Sequence, residues 1–144
     1  MPAIPPTLHA TAVAIRGRGV LLTGPSGSGK SDLALRLIDR GAVLVADDRV
    51  VVARDAGRVL ASPPPALAGL IEVRGLGIIA VPFAERVPVA LILDLAAAPE
   101  RLPPPATRDV AGVAVPVLAF APFAASAAIR AERALTAFGG GVET

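Results

Sequence analysis

Hydrophobic positions fall along this chain in short blocks, separated by glycine, proline and charge. Leu8 to Ile15 alternates enough to predict a strand, and Val20 to Thr23 predicts a second. Arg16-Gly17-Arg18-Gly19 between them reads as the turn of a hairpin. From Ser31 to Arg40 the spacing becomes helical: Leu33, Leu35, Leu37 and Ile38 supply an apolar face, and Gly41 stops the helix. Val43 to Ala46 predicts a short buried strand ending in Asp47-Asp48, with Arg49 to Arg54 continuing extended. Asp55-Ala56-Gly57-Arg58 reads as a turn and Val59 to Ala61 as a strand. Ser62-Pro63-Pro64-Pro65 breaks the chain, and Ala66 to Leu70 predicts a short helix. Ile71 to Ile79 reads as a loop, because Gly75 and Gly77 flank Leu76. Val87 to Leu95 predicts a central strand, Ala98 to Thr107 an exposed proline-rich loop, and Val113 to Leu118 a last strand. Ala124 to Phe138 predicts a last helix, capped by Gly139-Gly140-Gly141. There is no internal repeat. Many strands with two helices, not in regular alternation, predict an α/β fold with a mixed sheet.

The 144 residues suffice for one domain with a real core. Hydrophobic residues make up 53% and aromatics only 3%, so that core must come from Val, Leu, Ile and Ala. A formal charge of +2 is too small to argue for a nucleic-acid partner. The absence of cysteine excludes disulfides and thiolate metal sites. Met1 to Pro6 has no basic start and no long apolar run, so no signal peptide is expected. Val87 to Leu95 is too short to span a bilayer. A soluble, cytoplasmic protein without a membrane partner is the expectation.

Between the second strand and the first helix stands Gly24-Pro25-Ser26-Gly27-Ser28-Gly29-Lys30-Ser31. It fits the phosphate loop G-x-x-x-x-G-K-[ST] at every fixed position, in the strand–loop–helix setting that the motif requires. The glycines let successive N–H groups point into one hollow, and the helix N-terminus adds partial positive charge. Lys30 is the only lysine among 14 basic residues. A compact ammonium fits among phosphate oxygens where a planar guanidinium does not. Lys30 is expected to reach the β- and γ-phosphates of ATP, and the Ser31 hydroxyl to ligate Mg²⁺. The bland alternative is a glycine-rich turn preceding Gly-Lys-Ser by chance.

A phosphate loop needs an acidic partner for its metal. Leu91-Ile92-Leu93-Asp94 has the look of a Walker B strand, but a residue capping the following turn is the plainer reading of Asp94. Asp47 and Asp48 are two adjacent carboxylates directly after a buried strand, at the rim where ligands bind; neutralisation by Arg49 is the bland alternative. Glu72 and Arg74 form an odd charge pair in an apolar, glycine-containing segment, and a surface salt bridge would explain them blandly. His9 is the only histidine, and from its position alone it reads as structural.

In order, Leu8-His9, the phosphate loop, Val45-Ala46-Asp47-Asp48-Arg49-Val50 and Glu72-Val73-Arg74-Gly75-Leu76-Gly77-Ile78-Ile79 resemble the C-terminal catalytic domain of the HPr serine kinase/phosphorylase family, over about residues 7 to 120. The resemblance implies a fold like that of phosphoenolpyruvate carboxykinase, outside the main P-loop NTPase group, so Asp94 is not the expected magnesium ligand. It implies an ATP- and Mg²⁺-dependent serine kinase acting on HPr or an HPr-like phosphocarrier, and a homo-oligomer, hexameric in the family. Asp47 takes the place of the catalytic carboxylate, which accepts the serine proton; Ser31 and Glu72 stand for the magnesium ligands, Lys30 for the phosphate clamp and His9 for the active-site histidine. Arg101 sits where the family has a catalytic arginine, and Asp48, Arg74, Gly75 and Gly77 belong to the two signature segments.

Three departures accompany the resemblance. The family's separate N-terminal domain has no counterpart in residues 1–144, which implies a short single-domain form. Pro25 stands where an acidic residue is usual. The basic segment associated with dephosphorylation is replaced by Val117 to Ala125, which has no basic residue. Kinase activity with weak or absent phosphorolysis is therefore expected. A small-molecule kinase on the same scaffold and a non-catalytic nucleotide-binding module are the competing readings.

Overall fold

The computed structural model describes residues 7–140. The absence of a leader at Met1 to Pro6 and the last glycine of the expected cap, Gly141, lie outside them. Eleven strands and two helices follow in order: β1 (Thr7–Leu8), β2 (Ala10–Ile15), β3 (Arg18–Thr23), α1 (Lys30–Asp39), β4 (Val43–Ala46), β5 (Val50–Asp55), β6 (Arg58–Ser62), β7 (Leu70–Val73), β8 (Gly77–Ala80), β9 (Val87–Asp94), β10 (Thr107–Val110), β11 (Val113–Ala119) and α2 (Ala127–Phe138). The expected mixed α/β sheet is present.

The main sheet runs β1-β5-β6-β9-β3-β2-β4, with β11 also on β9 and β10 on β11. β3 and β9 are parallel, as are β9 and β11, whereas β2 lies antiparallel to both β3 and β4. β1 runs on into β2 with only His9 between them, yet it pairs with β5 at the far end of the strand order. The sheet thus curls back on its own first strand.

Both faces of the curled sheet are covered, and the alternation of strand side chains sorts them. Val13, Ile15, Val20, Leu22, Leu91 and Leu93 point to a core completed by Leu33 and Leu37 of α1 and Ala131 and Leu135 of α2. Ala12, Ala14, Leu21, Val45 and Ile92 point to a second core, closed by Val50, Val52 and Val59 of β5 and β6. Among the described residues Phe120 is the one aromatic buried in these cores, the rest being aliphatic as the composition predicts.

Several local expectations are corrected. The two four-residue turns are in fact two residues long, Arg16-Gly17 and Ala56-Gly57, and an unexpected third of the same kind, Ala111-Gly112, joins β10 to β11; each has positive φ at both positions. Such paired left-handed turns match the twist of the strands they join, so Arg18, Asp55 and Arg58 belong to strands. The helix expected at Ala66 to Leu70 is a single 3₁₀ turn at Pro65–Leu67. The segment Ile71 to Ile79 is a two-stranded hairpin, β7–β8, with Val73 paired to Gly77. The Leu76 N–H donates to the Val73 carbonyl at 2.9 Å across a turn whose third residue, Gly75, has φ +86°. β10 arises after the proline-rich loop and was not expected. The last helix starts at Ala127, three residues after the expected Ala124, and ends at Gly139, which is extended.

Candidate active site

The phosphate loop leaves the sheet at the end of β3, where Thr23 pairs with Asp94 of the central strand. It re-enters as α1, whose N-cap is Gly29 at φ +97° with no side-chain cap. The free N–H groups of the first helical turn are therefore left for an anion. Gly24 has φ +151°, a conformation that residues with a side chain rarely adopt, and a Cβ there would also crowd Ser28 Oγ at 2.6 Å. Lys30 is largely buried, and its Nζ donates to the carbonyls of Gly24 (2.7 Å) and Pro25 (3.0 Å), so the ammonium sits directly under the loop.

Asp47 is where three parts of the chain meet. Its Oδ1 accepts from Ser31 Oγ at 2.6 Å and from Thr11 Oγ1 at 3.0 Å, and its Oδ2 accepts from the Glu72 N–H at 3.0 Å. The carboxylate, 9% exposed, is thus held by α1, β2 and β7 together. Each contact follows from local structure. Thr11 is the one polar residue in a fully buried strand, and a buried hydroxyl needs a partner. Ser31 lies in the first turn of α1, and on β7 Ile71 enters the core while Glu72 faces out. Ser31 gives its proton to the hydrogen bond with Asp47, which leaves the lone pairs of its oxygen for a cation.

Asp48 is turned away from its neighbour. Its φ is +70°, rare for a residue with a side chain, and the Arg49 N–H donates to the Asp47 carbonyl at 2.8 Å across it. A tight turn of this sort is strained. It aims the Asp48 carboxylate at His9, whose Nε2 lies 2.8 Å from Oδ1. Among the described residues Arg49 makes no ion pair with either aspartate, nor does Arg74 with Glu72.

A cleft of about 480 Å³ brings together Thr11, Ser26, Gly27, Gly29, Lys30, Ser31, Asp48, Glu72 and Arg74. Asp47, His9 and Arg101 are not among its lining residues: Asp47 is buried, with its partners Thr11, Ser31 and Glu72 on the cleft wall, and Arg101 is exposed on the loop after β9. Asp94 caps the turn that follows it, accepting from the Ala96 N–H at 2.9 Å, and pairs with Arg108 of β10 at 2.8 Å. Burial works to raise its pKa, but the Arg108 hydrogen bond, the Ala96 N–H and the Arg108 charge outweigh it and hold the carboxyl below the usual value. A carboxylate committed in this way fits the expectation that Asp94 is not a metal ligand.

Sequence reasoning missed Thr11, Phe123 and Arg108. Thr11 carried a signal, a lone hydroxyl inside an apolar strand. Phe123, which also lines the cleft, and Arg108 carried none that spacing could reveal. No helix among the described residues is long and apolar enough to cross a membrane.

Comparison with known proteins adds to this geometry. The sequence model of the HPr Serine kinase C-terminal domain matches residues 3–84. The HPr kinase/phosphorylase of Clostridium tetani (strain Massachusetts / E88) is 52% identical over 75 residues, which are 52% of this chain and 25% of that protein. That of Limosilactobacillus reuteri (strain DSM 20016) is 53% identical over 76 residues, 52% of this chain and 24% of the relative. The matched part thus spans about a quarter of the length of these curated relatives. The structure of the Hpr(Ser) kinase/phosphatase from Coxiella burnetii superposes with a TM-score of 0.74 at 30% identity, covering 91% of this chain and 98% of that one.

Proposed function

The chain belongs to the HPr serine kinase C-terminal domain family, and from that premise we propose that it transfers the γ-phosphoryl group of ATP to a serine of HPr or an HPr-like phosphocarrier. The observation that carries this reading is Asp47, fixed by Thr11, by Glu72 and by Ser31, the last residue of the phosphate loop. A nucleotide-binding module has no need of a carboxylate oriented from three elements. A general base does, because it must lie within hydrogen-bond reach of the attacking oxygen.

In the proposed reaction the loop N–H groups and Lys30 hold the ATP phosphates. The serine Oγ attacks the γ-phosphorus, the bond from that phosphorus to the β–γ bridging oxygen breaks, and the serine proton passes to Asp47. ADP leaves, and the proton is later released to water. Ser31 and Glu72 are the proposed magnesium ligands. Few protein ligands suit this ion, which favours oxygen and keeps water and substrate phosphate in its shell; among the described residues there is no larger cluster of metal-binding side chains. Bound there, Mg²⁺ would supply neutralising charge to the β- and γ-phosphates. His9 is proposed to steady Asp48, and through the strained turn the orientation of Asp47. Arg101, outside the cleft, is proposed to act only on a bound protein substrate.

The test is transfer of label from ATP to serine on purified HPr-like proteins. The wild-type chain should label the carrier, and Asp47→Asn should lose on the order of 10²- to 10⁴-fold in rate while still binding ATP. With phosphorylated carrier and inorganic phosphate, pyrophosphate should form more slowly than the forward rate, because Val117 to Ala125 offers no cation for the second anion. No label on any carrier, or full rate in Asp47→Asn, would overturn the reading.

A further inference from the structure

One side chain of the cleft has no part in this chemistry. Phe123 is 72% exposed, in a chain with four phenylalanines and neither tryptophan nor tyrosine. Its backbone is nevertheless tied down. The Phe120 N–H donates to the Asp94 carbonyl at 2.9 Å. Arg36 of α1 donates to the carbonyls on either side of Phe123, those of Pro122 and Ala124, the latter at 3.3 Å, while pairing with Asp32 at 2.9 Å. The ring rests by its edge on the phosphate loop: a Cβ on Gly29 would lie 2.9 Å from Phe123 Cε1 and 3.3 Å from Pro122 Cγ. Phe123 lines the cleft together with Gly27 and Lys30.

An aromatic surface left in water on a tethered backbone, against the last glycine before Lys30, calls for a flat apolar ligand that arrives with the phosphates. We infer that Phe123 is the platform on which the base of the bound nucleotide stacks. This rests on the proposed use of a nucleoside triphosphate and deepens it. Stacking on one aromatic face tolerates any base, so the platform distinguishes a nucleotide from bare polyphosphate, not ATP from GTP.

The experiment compares dissociation constants of ATP and tripolyphosphate, each with Mg²⁺, for the wild type, Phe123→Ala and Phe123→Trp. Phe123→Ala should weaken ATP on the order of tenfold and leave tripolyphosphate unchanged. Phe123→Trp should keep ATP affinity, and its indole, the only one in the chain, should be quenched by ATP and not by tripolyphosphate. Equal losses for the two ligands, no loss for either, or an unchanged ATP affinity with a raised KM for the carrier would overturn the stacking role alone. A wild type that binds neither ligand would sink the nucleotide reading along with it.

Discussion

Glu72 presents its N–H to Asp47 and lines the cleft, so one residue both orients the proposed base and is placed to serve as the proposed metal ligand. The two roles separate on substitution. Glu72→Gln keeps the backbone donor and removes the charge, so the Mg²⁺ concentration needed for half-maximal transfer should rise on the order of tenfold, with little change in rate at saturating metal. A metal titration superimposable on the wild type would remove Glu72 from the ligand set. The residues legible beforehand were those whose chemistry is dictated by a local motif: Lys30, Ser31 and the Asp47-Asp48 pair. Thr11 showed only as a lone hydroxyl in an apolar strand; its partner Asp47 lies across 36 positions of chain, a contact that short-range spacing does not report.

The elements that hold the site are mostly those that an apolar run marks: β2, β3, α1, β4 and β9 fall where the pattern puts them. β7 and β8 were misread because their strands are only four residues each, and the glycines that make the tight turn between them look like a loop in one dimension. β10 escaped for a related reason: Thr107-Arg108-Asp109-Val110 is largely exposed and has little apolar alternation to show. Its function in the fold is electrostatic, since Arg108 reaches Asp94 at the end of β9 and Thr23 at the end of β3. Because the Asp94 pKa is lowered in the folded state, the pair adds stability that is fully present above the ordinary carboxylate range and is lost as pH falls through the folded-state value. The Arg108 side chain is 44% exposed, so Asp94→Asn should cost about 1 kcal/mol or less at pH 7. Urea unfolding from pH 7 to 3 should show a smaller loss of stability on acidification in Asp94→Asn than in the wild type. Identical pH profiles would mean that the pair does not stabilise the end of the central strands.

For the whole molecule, the proposed activity depends on a sheet whose strands bring distant parts of the sequence to one rim. β4 and β5 deliver the aspartates, β7 delivers Glu72, and the segment before α2 delivers Phe123. The fold class was legible because both sheet faces need apolar residues and the chain is rich in them. The curl that returns β1 to β5 was not, because it depends on the register Leu8 to Val50 and not on composition. The parallel pairing of β3 with β9 has a further consequence, for the order of events in folding. Leu21 pairs with Ile92, 92 − 21 = 71 positions away, whereas β2–β3, β5–β6 and β10–β11 each close over two residues. Such hairpins form within about 1–10 μs, while a distant parallel pairing waits on loop closure. The loop at the end of β3 therefore gains its rigid support only when β9 arrives, and the chain should acquire secondary structure before it can hold a nucleotide. In refolding from urea, far-ultraviolet circular dichroism should recover ahead of the binding of a fluorescent ATP analogue. Simultaneous recovery would mean that β9 docks as early as the hairpins, and that the nascent chain is competent for ATP from the first moment it is folded at all.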